Sequence, residues 1–402
     1  YIYIVVMYSF IVNPANKQIY DPKTIKALNI LKNQFNQHGG KYISKGTYKC
    51  VHSPPISCSG KSKKYNSSDY ISALTTNAEA INAKKNEKIK KQIDPDDRFT
   101  VKLEKVCKIG KLDPITEGTK EFKNCSNTIT GNFLANYEYP FEYYDYDDED
   151  SLRLIISKHG GLDLVQLTNH FNEMNLKKSL ILIPKLFKSF KNVFYGLSRF
   201  KEEKFIHCDI KPNNILYNMK SDRFNIIDLG LMRNFSNALS DEYFIDYTIN
   251  ISQEAYYYRY WSINSGVAAL FLRREKDNMD INFSPPISQG PSAYNDVRNP
   301  NIIRKLYYDN ITNTKDFIRV SKEKLDTYSL GITIKEFFYS PQLNSLVKKL
   351  SNKYPDNASI KKIIMIKHKL SKLVTKMIKI DPFQRISIHG ALKEYSEIIK
   401  LL

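Results

Sequence analysis

The chain has 402 residues, 42% of them hydrophobic, and a formal charge of +19. That length holds one large domain of two lobes, or two domains, and the apolar share is enough for a core, which excludes a disordered chain. The charge comes from lysines mixed with Asn, Ile and Tyr along the whole length, without an RRM, KH or zinc-finger pattern, so it reads as compositional bias and nucleic acid is not expected as a partner.

In chain order, Tyr1 to Val12 are apolar but too short to cross a bilayer, and they lack the basic start and small-residue cleavage site of a secretion signal. Met7 is a candidate start, with Tyr1 to Val6 upstream of it. Pro22 to Gln37 has the spacing of a short helix stopped by Gly39-Gly40. Ile43 to His52 reads as strand, turn and strand, Ser57 to Ser68 as a polar loop, and Tyr70 to Leu74 as a strand. From Asn77, apolar Ile81, Ile89 and Ile93 recur at helical spacing until Asp94-Pro95 ends the helix. Phe99 to Ile109 reads as a strand pair. Residues 110–150 read as irregular, with an acidic, tyrosine-rich run from Glu138 to Asp150. Arg153 to Lys158 is a strand ending at His159-Gly160-Gly161.

Beyond that point the pattern turns helical. Ile183 to Glu203 reads as a long amphipathic helix, Leu325 to Tyr339 as an apolar helix, and Leu343 to Leu402 as helical with a break at Asp381-Pro382. Residues 228–261 and 262–323 read as irregular. Strands first and helices later predict an α+β fold of two lobes. No apolar run is long enough for a membrane span. The five cysteines, Cys50, Cys58, Cys107, Cys125 and Cys208, are odd in number and form no C-x-x-C. Neither a disulfide framework nor a zinc site is expected from them, and a reducing, intracellular setting fits.

The chemistry concentrates in one stretch. His207-Cys208-Asp209-Ile210-Lys211-Pro212-Asn213-Asn214 reads H-x-D-x-K-x-x-N. Two apolar runs follow, Ile215-Leu216 and Phe224-Asn225-Ile226-Ile227, and then Asp228-Leu229-Gly230. Phosphoryl transfer from ATP needs these residue types in this order. Asp209 orients the attacking hydroxyl and takes its proton, and Lys211 neutralises the moving phosphoryl group. Asn214 and Asp228 supply hard oxygen ligands for Mg2+.

On these residues the chain resembles the eukaryotic-type protein kinase superfamily, and within it the serine/threonine kinases of large nucleocytoplasmic DNA viruses. Gly46 to Pro55 resembles the viral form of the nucleotide-covering loop, and Ile93-Asp94-Pro95 and His159 to Leu164 have the look of that group. Asp326-Thr327-Tyr328-Ser329-Leu330-Gly331 matches a helix start whose Asp caps the catalytic loop. Asp381-Pro382-Phe383-Gln384-Arg385 matches a late element whose Arg pairs with a Glu near the end of the activation segment.

The resemblance implies a two-lobed kinase fold. Residues 1–39 would be an N-terminal extension, 40–160 the small strand-rich lobe and 161–402 the larger helical lobe. The latter would hold the catalytic loop at 205–218, the activation segment at 228–261 and an insertion at about 262–323, expected as an exposed loop. It implies ATP and Mg2+ as cofactors and a protein substrate with Ser or Thr. Nucleotide contacts are expected at Ser44, Gly46, Val51, Ser157 and His159, with the adenine on the backbone of Ser157 to Gly160, and at Asn214 and Asp228. The location implied is intracellular, in host cytoplasm or virion if the protein is viral. His207 is expected to be structural, and Cys208 a small buried filler.

Departures from the family pattern bear on activity. A full glycine-rich loop reads G-x-G-x-x-G-x-V, and here those positions hold Ser44, Gly46, Lys49 and Val51. Ala73 occupies the position of the ATP-anchoring lysine, and a methyl group cannot bridge phosphates and a helix glutamate. Glu79 and Glu87 lie on the following helix, but the expected partner position is Ala83. Lys63 or Lys64 could substitute from the preceding loop, whereas Lys102 and Lys105 are expected to be solvated. Cys208 replaces the arginine that usually clamps a phosphorylated activation segment, which implies a different switch. Tyr258 to Asn264 stands at the end of that segment without the usual Glu. Two functions follow as alternatives: an active serine/threonine kinase, and a pseudokinase that serves as a scaffold.

Overall fold

The structure is a computed structural model that describes residues 11–12, 19–20, 42–45, 49–53, 55–59, 65, 69–109, 152–239, 259–277 and 300–402. The expected helix at 22–37, Gly46, Lys63, Lys64, Cys125, Tyr258 and the acidic run at 138–150 lie outside the described residues. The chain divides into two units, Tyr1–Lys85 with Lys102–His159, and Asn86–Val101 with Gly160–Leu402.

In the first unit, β1 (Ile11–Val12) and β2 (Ile19–Tyr20) form a small antiparallel pair. The main sheet comprises β3 (Tyr42–Lys45), β4 (Lys49–His52), β5 (Tyr70–Thr76), β6 (Leu103–Lys108) and β7 (Leu152–Lys158), all neighbours antiparallel in the order β3-β4-β5-β7-β6. Side chains alternate across a strand, and Cys50, Leu74, Leu154 and Ile156 bury one face together with Ile56 and Cys58. The helix α1 (Asn77–Ile93) leaves the end of β5. Its last turns and the residues up to Val101 belong to the second unit.

A disulfide joins Cys58 to Cys107 across 49 residues of sequence, with Cα atoms 5.7 Å apart. This corrects the expectation of no disulfide framework. Cysteine count and spacing carry no information on which side chains a sheet edge brings together, and here Cys58 bridges to Ile109 beside β6. The expected strand pair at Phe99 to Ile109 is also corrected: β6 is one strand, and Thr100 instead makes a parallel bridge to Ile226 in the second unit. The cause is Asp94, whose carboxylate accepts the amides of Arg98 (2.8 Å), Phe99 (3.0 Å) and Thr100 (2.9 Å) and folds the chain back after α1. Phe99 then lies against Gly196, where a Cβ would stand 2.7 Å from its ring.

The second unit is built on helices. After β8 (Leu162–Asp163), α2 (Leu164–His170) starts with a capping box between Asp163 and Gln166. α3 (Leu176–Glu202) starts at the Asn175 cap, about two turns before Ile183, and runs through Pro184. Its residues Ile183, Leu186, Phe187, Phe190, Val193, Phe194, Leu197 and Phe200 recur at helical spacing and are all buried. They are followed by β9 (Phe205–Ile206), the hairpin β10 (Ile215–Asn218) and β11 (Arg223–Ile226), and β12 (Arg233–Asn234), which pairs with β9.

The remaining helices are α4 (Ile263–Asp277), α5 (Pro300–Asn310), α6 (Thr314–Glu323), α7 (Leu325–Phe338), α8 (Pro341–Lys353), α9 (Ala358–Met377) and α10 (Ile388–Ile399). α3 is the axis of the main core. Phe187 stacks on Phe338 at 4.4 Å and Phe194 on Tyr395 at 4.5 Å, and the Tyr395 hydroxyl donates to Phe187 O at 2.6 Å. Each such side chain stabilises the fold by roughly 1.5–3 kcal/mol through burial.

The stretch 262–323 departs most from expectation. Among the described residues it is helical, and its apolar side chains build a second core, with Trp261, Val267, Phe271, Tyr307, Phe317 and Ile318 buried. The exposed loop expected there is corrected. Ser262 to Gly266 has loop composition, but burial against neighbouring helices overrides local propensity.

Candidate active site

The residues His207 to Asn214 run from β9 to a single 3-10 turn, Pro212–Asn214, that feeds β10. The β10–β11 hairpin pairs Ile215 with Ile226, and Ile227 N donates to Asn214 O at 3.0 Å. This register brings Asn214 beside the start of the Asp228-Leu229-Gly230 turn. Asp228 has φ 63°, a left-handed conformation that non-glycine residues hold only when their surroundings enforce it.

Asp209 is buried and is the hub of the loop. Its Oδ2 accepts from Asn214 Nδ2 at 2.7 Å and lies 3.0 Å from Lys211 Nζ. The same Asn214 Nδ2 donates to Asp209 O at 2.9 Å. Asp209 N donates to His207 Nδ1 at 3.2 Å, which leaves Nε2 as the protonated nitrogen facing Ile227 O at 3.1 Å. His207 therefore links the loop His207 to Asn214 to the Asp-Leu-Gly turn.

Asp326 at the start of α7 accepts the amides of His207 (2.7 Å) and Cys208 (3.0 Å), as its motif implied. Burial pushes its carboxyl above the usual range, while His207 and the two amides act in the opposite sense. Cys208 is buried, outside any disulfide and at φ 64°. Its carbonyl takes a hydrogen bond of 2.6 Å from Trp261 Nε1. The indole was not anticipated as a partner, because only tertiary packing brings it to the loop.

A magnesium ion needs oxygen donors. Asn214 Nδ2 is committed to Asp209, so its amide oxygen is the end left to face a metal. With the Asp228 carboxylate that makes two hard donors, the number usual where phosphate oxygens and water complete the shell. Among the described residues no cluster of three or more His, Cys, Asp or Glu could hold a metal unaided.

The other expected nucleotide residues lie in the first unit. Ser44 pairs with Val51 in the β3–β4 hairpin. Ser157 pairs with Ile71 and Leu103 on its two sides. The next two amides are engaged: Lys158 N donates to Lys102 O at 3.0 Å and His159 N to Asp69 O at 2.7 Å. Ala73 sits mid-sheet between Val51 and Ile155. Glu87 ion-pairs with Lys90 of its own helix at 2.9 Å, and burial raises its pKa. Lys102 pairs with Glu104 at the surface, as a solvated lysine does.

Two pairings were not legible in the sequence. Arg385, almost fully buried, donates from Nη2 to Asn264 Oδ1 at 2.6 Å and from Nε to Lys379 O at 2.8 Å, over the Tyr328 ring. An amide thus takes the place of the expected Glu, and burial lowers the guanidinium pKa to about 10. Glu336 lies 2.9 Å from Arg259 Nε and accepts from the Tyr260 hydroxyl at 2.6 Å. These three residues, with Pro212 and Asn213, line a cavity of about 560 Å³ beside the catalytic loop.

The family model of the protein kinase domain matches residues 142–256, which include this loop and the Asp-Leu-Gly turn. The "Probable serine/threonine-protein kinase irlD" of Dictyostelium discoideum is 28% identical over 125 residues. That stretch covers 28% of this chain and only 7% of the relative. With the strand-rich unit and the helical unit described above, the fold is the two-lobed α+β fold of a protein kinase domain. Both are similarities to protein kinases over less than a third of the chain.

Proposed function

We propose that the chain is a serine/threonine protein kinase that transfers the γ-phosphate of ATP to a protein hydroxyl. The observation that carries this reading is the hydrogen-bonded set of Asp209, Lys211 and Asn214, held by Asp326 from below and linked through His207 to the turn of Asp228. Asp209 orients the acceptor hydroxyl and takes its proton, and Lys211 stabilises the charge of the phosphoryl group in flight. Asn214 and Asp228 hold magnesium, which when bound offsets the charge of the ATP phosphates. Ser44, Gly46 and Val51 cover the nucleotide, with Ser157 and His159 at the adenine end. The acceptor chain lies in the cavity at Pro212, Asn213 and Glu336.

Kinship with viral kinases belongs to the same proposal and rests on the motifs at Ile93-Asp94-Pro95 and His159 to Leu164. So does an intracellular location, with the Cys58–Cys107 bond as the observation against it, since such bonds are rare in reducing compartments. Among the described residues no helix is long and apolar enough to cross a membrane.

Ala73 favours a second reading, a pseudokinase scaffold that holds nucleotide weakly or not at all and catalyses weakly or not at all. The two are separated by measuring binding of a fluorescent ATP analogue with magnesium alongside γ-phosphate transfer to a generic basic protein, in the wild type and in Ala73→Lys. An active kinase transfers in both forms. A scaffold shows weak transfer or none, with weak nucleotide binding or none, and Ala73→Lys raises the rate by about 10² or more where the missing lysine alone disables it. No transfer in either form rejects the kinase and favours the scaffold.

A further inference from the structure

The helices of the insertion do more than fill space behind Trp261. Their core is closed on one side by Ile206 and Cys208 of the catalytic loop and on another by Ala238 and Leu239, from the segment that follows Asp228. That segment is tied at several points. β12 pairs Arg233 with Ile206 and Asn234 with Phe205, and Phe235 N donates to Lys204 O at 2.8 Å. Leu239 is buried at φ 64°, a conformation a leucine keeps only when its surroundings hold it there.

The remaining tie comes from α6. Lys322 is only 7% exposed, and its Nζ donates to Ser236 O at 3.1 Å. Among the described residues no carboxylate pairs with it, and burial lowers its pKa. Burying an ammonium against a lone carbonyl is unfavourable compared with a hydrophobic side chain of similar length, so stability alone does not account for a lysine here. What the lysine does is fix the course of the backbone at Ser236.

We propose that α4 to α6 form a built-in clamp on Arg233 to Leu239, with Lys322 as a positioning residue, replacing the phosphate-and-arginine clamp that Cys208 cannot supply. The proposal rests on the kinase reading for its consequence, a transfer rate that needs no phosphate on this segment. The clamp itself is a matter of structure and is tested separately.

The test follows amide hydrogen exchange in the wild type, Lys322→Met and Lys322→Arg. Exchange at 233–239 is expected to quicken about ten-fold or more in Lys322→Met while α9 stays unchanged, and to return toward wild type in Lys322→Arg. Where transfer is measurable, kcat falls in Lys322→Met with KM for ATP little altered. Wild type stripped of phosphate by a phosphatase, checked by mass, keeps its rate. Unchanged exchange at 233–239 in Lys322→Met overturns the clamp, and so does loss of transfer on phosphatase treatment. If Lys322→Met does not fold, the Lys322→Arg exchange and the phosphatase arm decide. A wild type without any transfer defeats the kinase reading alone, and exchange then judges the clamp.

Discussion

His52 in β4 has none of its surface exposed, and burial lowers its imidazole pKa to about 4, against a weaker pull upward from a backbone hydrogen bond at Cys50. The folded chain then leaves His52 neutral where the unfolded chain, with an ordinary value of about 6.5, takes up a proton. Stability from this group is complete above pH 6.5 and is lost as pH falls from about 6.5 toward 4, by up to about 3 kcal/mol. Urea unfolding of wild type and His52→Leu between pH 7 and 4 checks this. The wild type is expected to lose stability relative to the variant across that window, and parallel curves would mean the ring is protonated in the fold. At this scale the candidate residues Asp209, Lys211, Asn214 and Asp228 were legible as a motif, and the fold gathers them around one hairpin. Asn264 as the partner of Arg385, and Lys322 as the partner of Ser236, were not. Each is defined by a contact between elements more than 80 positions apart, which no local pattern encodes.

Among elements, the helix Asn77–Ile93 was read to its last residue, because Asp94-Pro95 both ends the pattern and caps the following turn. The stretch 262–323 was misread as a loop because Ser, Asn and Gly at its start resemble one, although Pro300 at the first position of α5 is a recognised helix opener. The Cys58–Cys107 bond was invisible to cysteine counting and has a measurable consequence. Closing a loop of 49 residues restricts the unfolded chain, which by the chain-entropy relation is worth about 4 kcal/mol. Denaturation of the first unit with and without reductant, repeated in Cys58→Ser with Cys107→Ser, is expected to reveal a loss of that order. Equal stability in both conditions would mean that the bond does not form in solution.

For the whole molecule, the order of strands before helices was enough to read an α+β fold of two lobes, and the kinase type was implied by the resemblance of the motifs. The division into units was harder to read, because Asn86 to Val101 belongs with the helices although it follows the sheet directly. Composition does not mark that boundary; the Asp94 turn and the seat of Phe99 on Gly196 create it. The helical unit carries every residue assigned to the chemical step, Asp209, Lys211, Asn214 and Asp228, so the central claim can be addressed through one side chain. Asp209→Asn keeps the size of the side chain and an oxygen for Asn214 while removing the base. The decisive measurement is γ-phosphate transfer from Mg-ATP by wild type and by Asp209→Asn, with binding of the ATP analogue as a control for folding. The expected result is transfer by the wild type, a loss of about 10² or more in the variant, and equal nucleotide binding in both. Equal transfer by both forms would contradict the assignment of Asp209 and the catalytic loop with it.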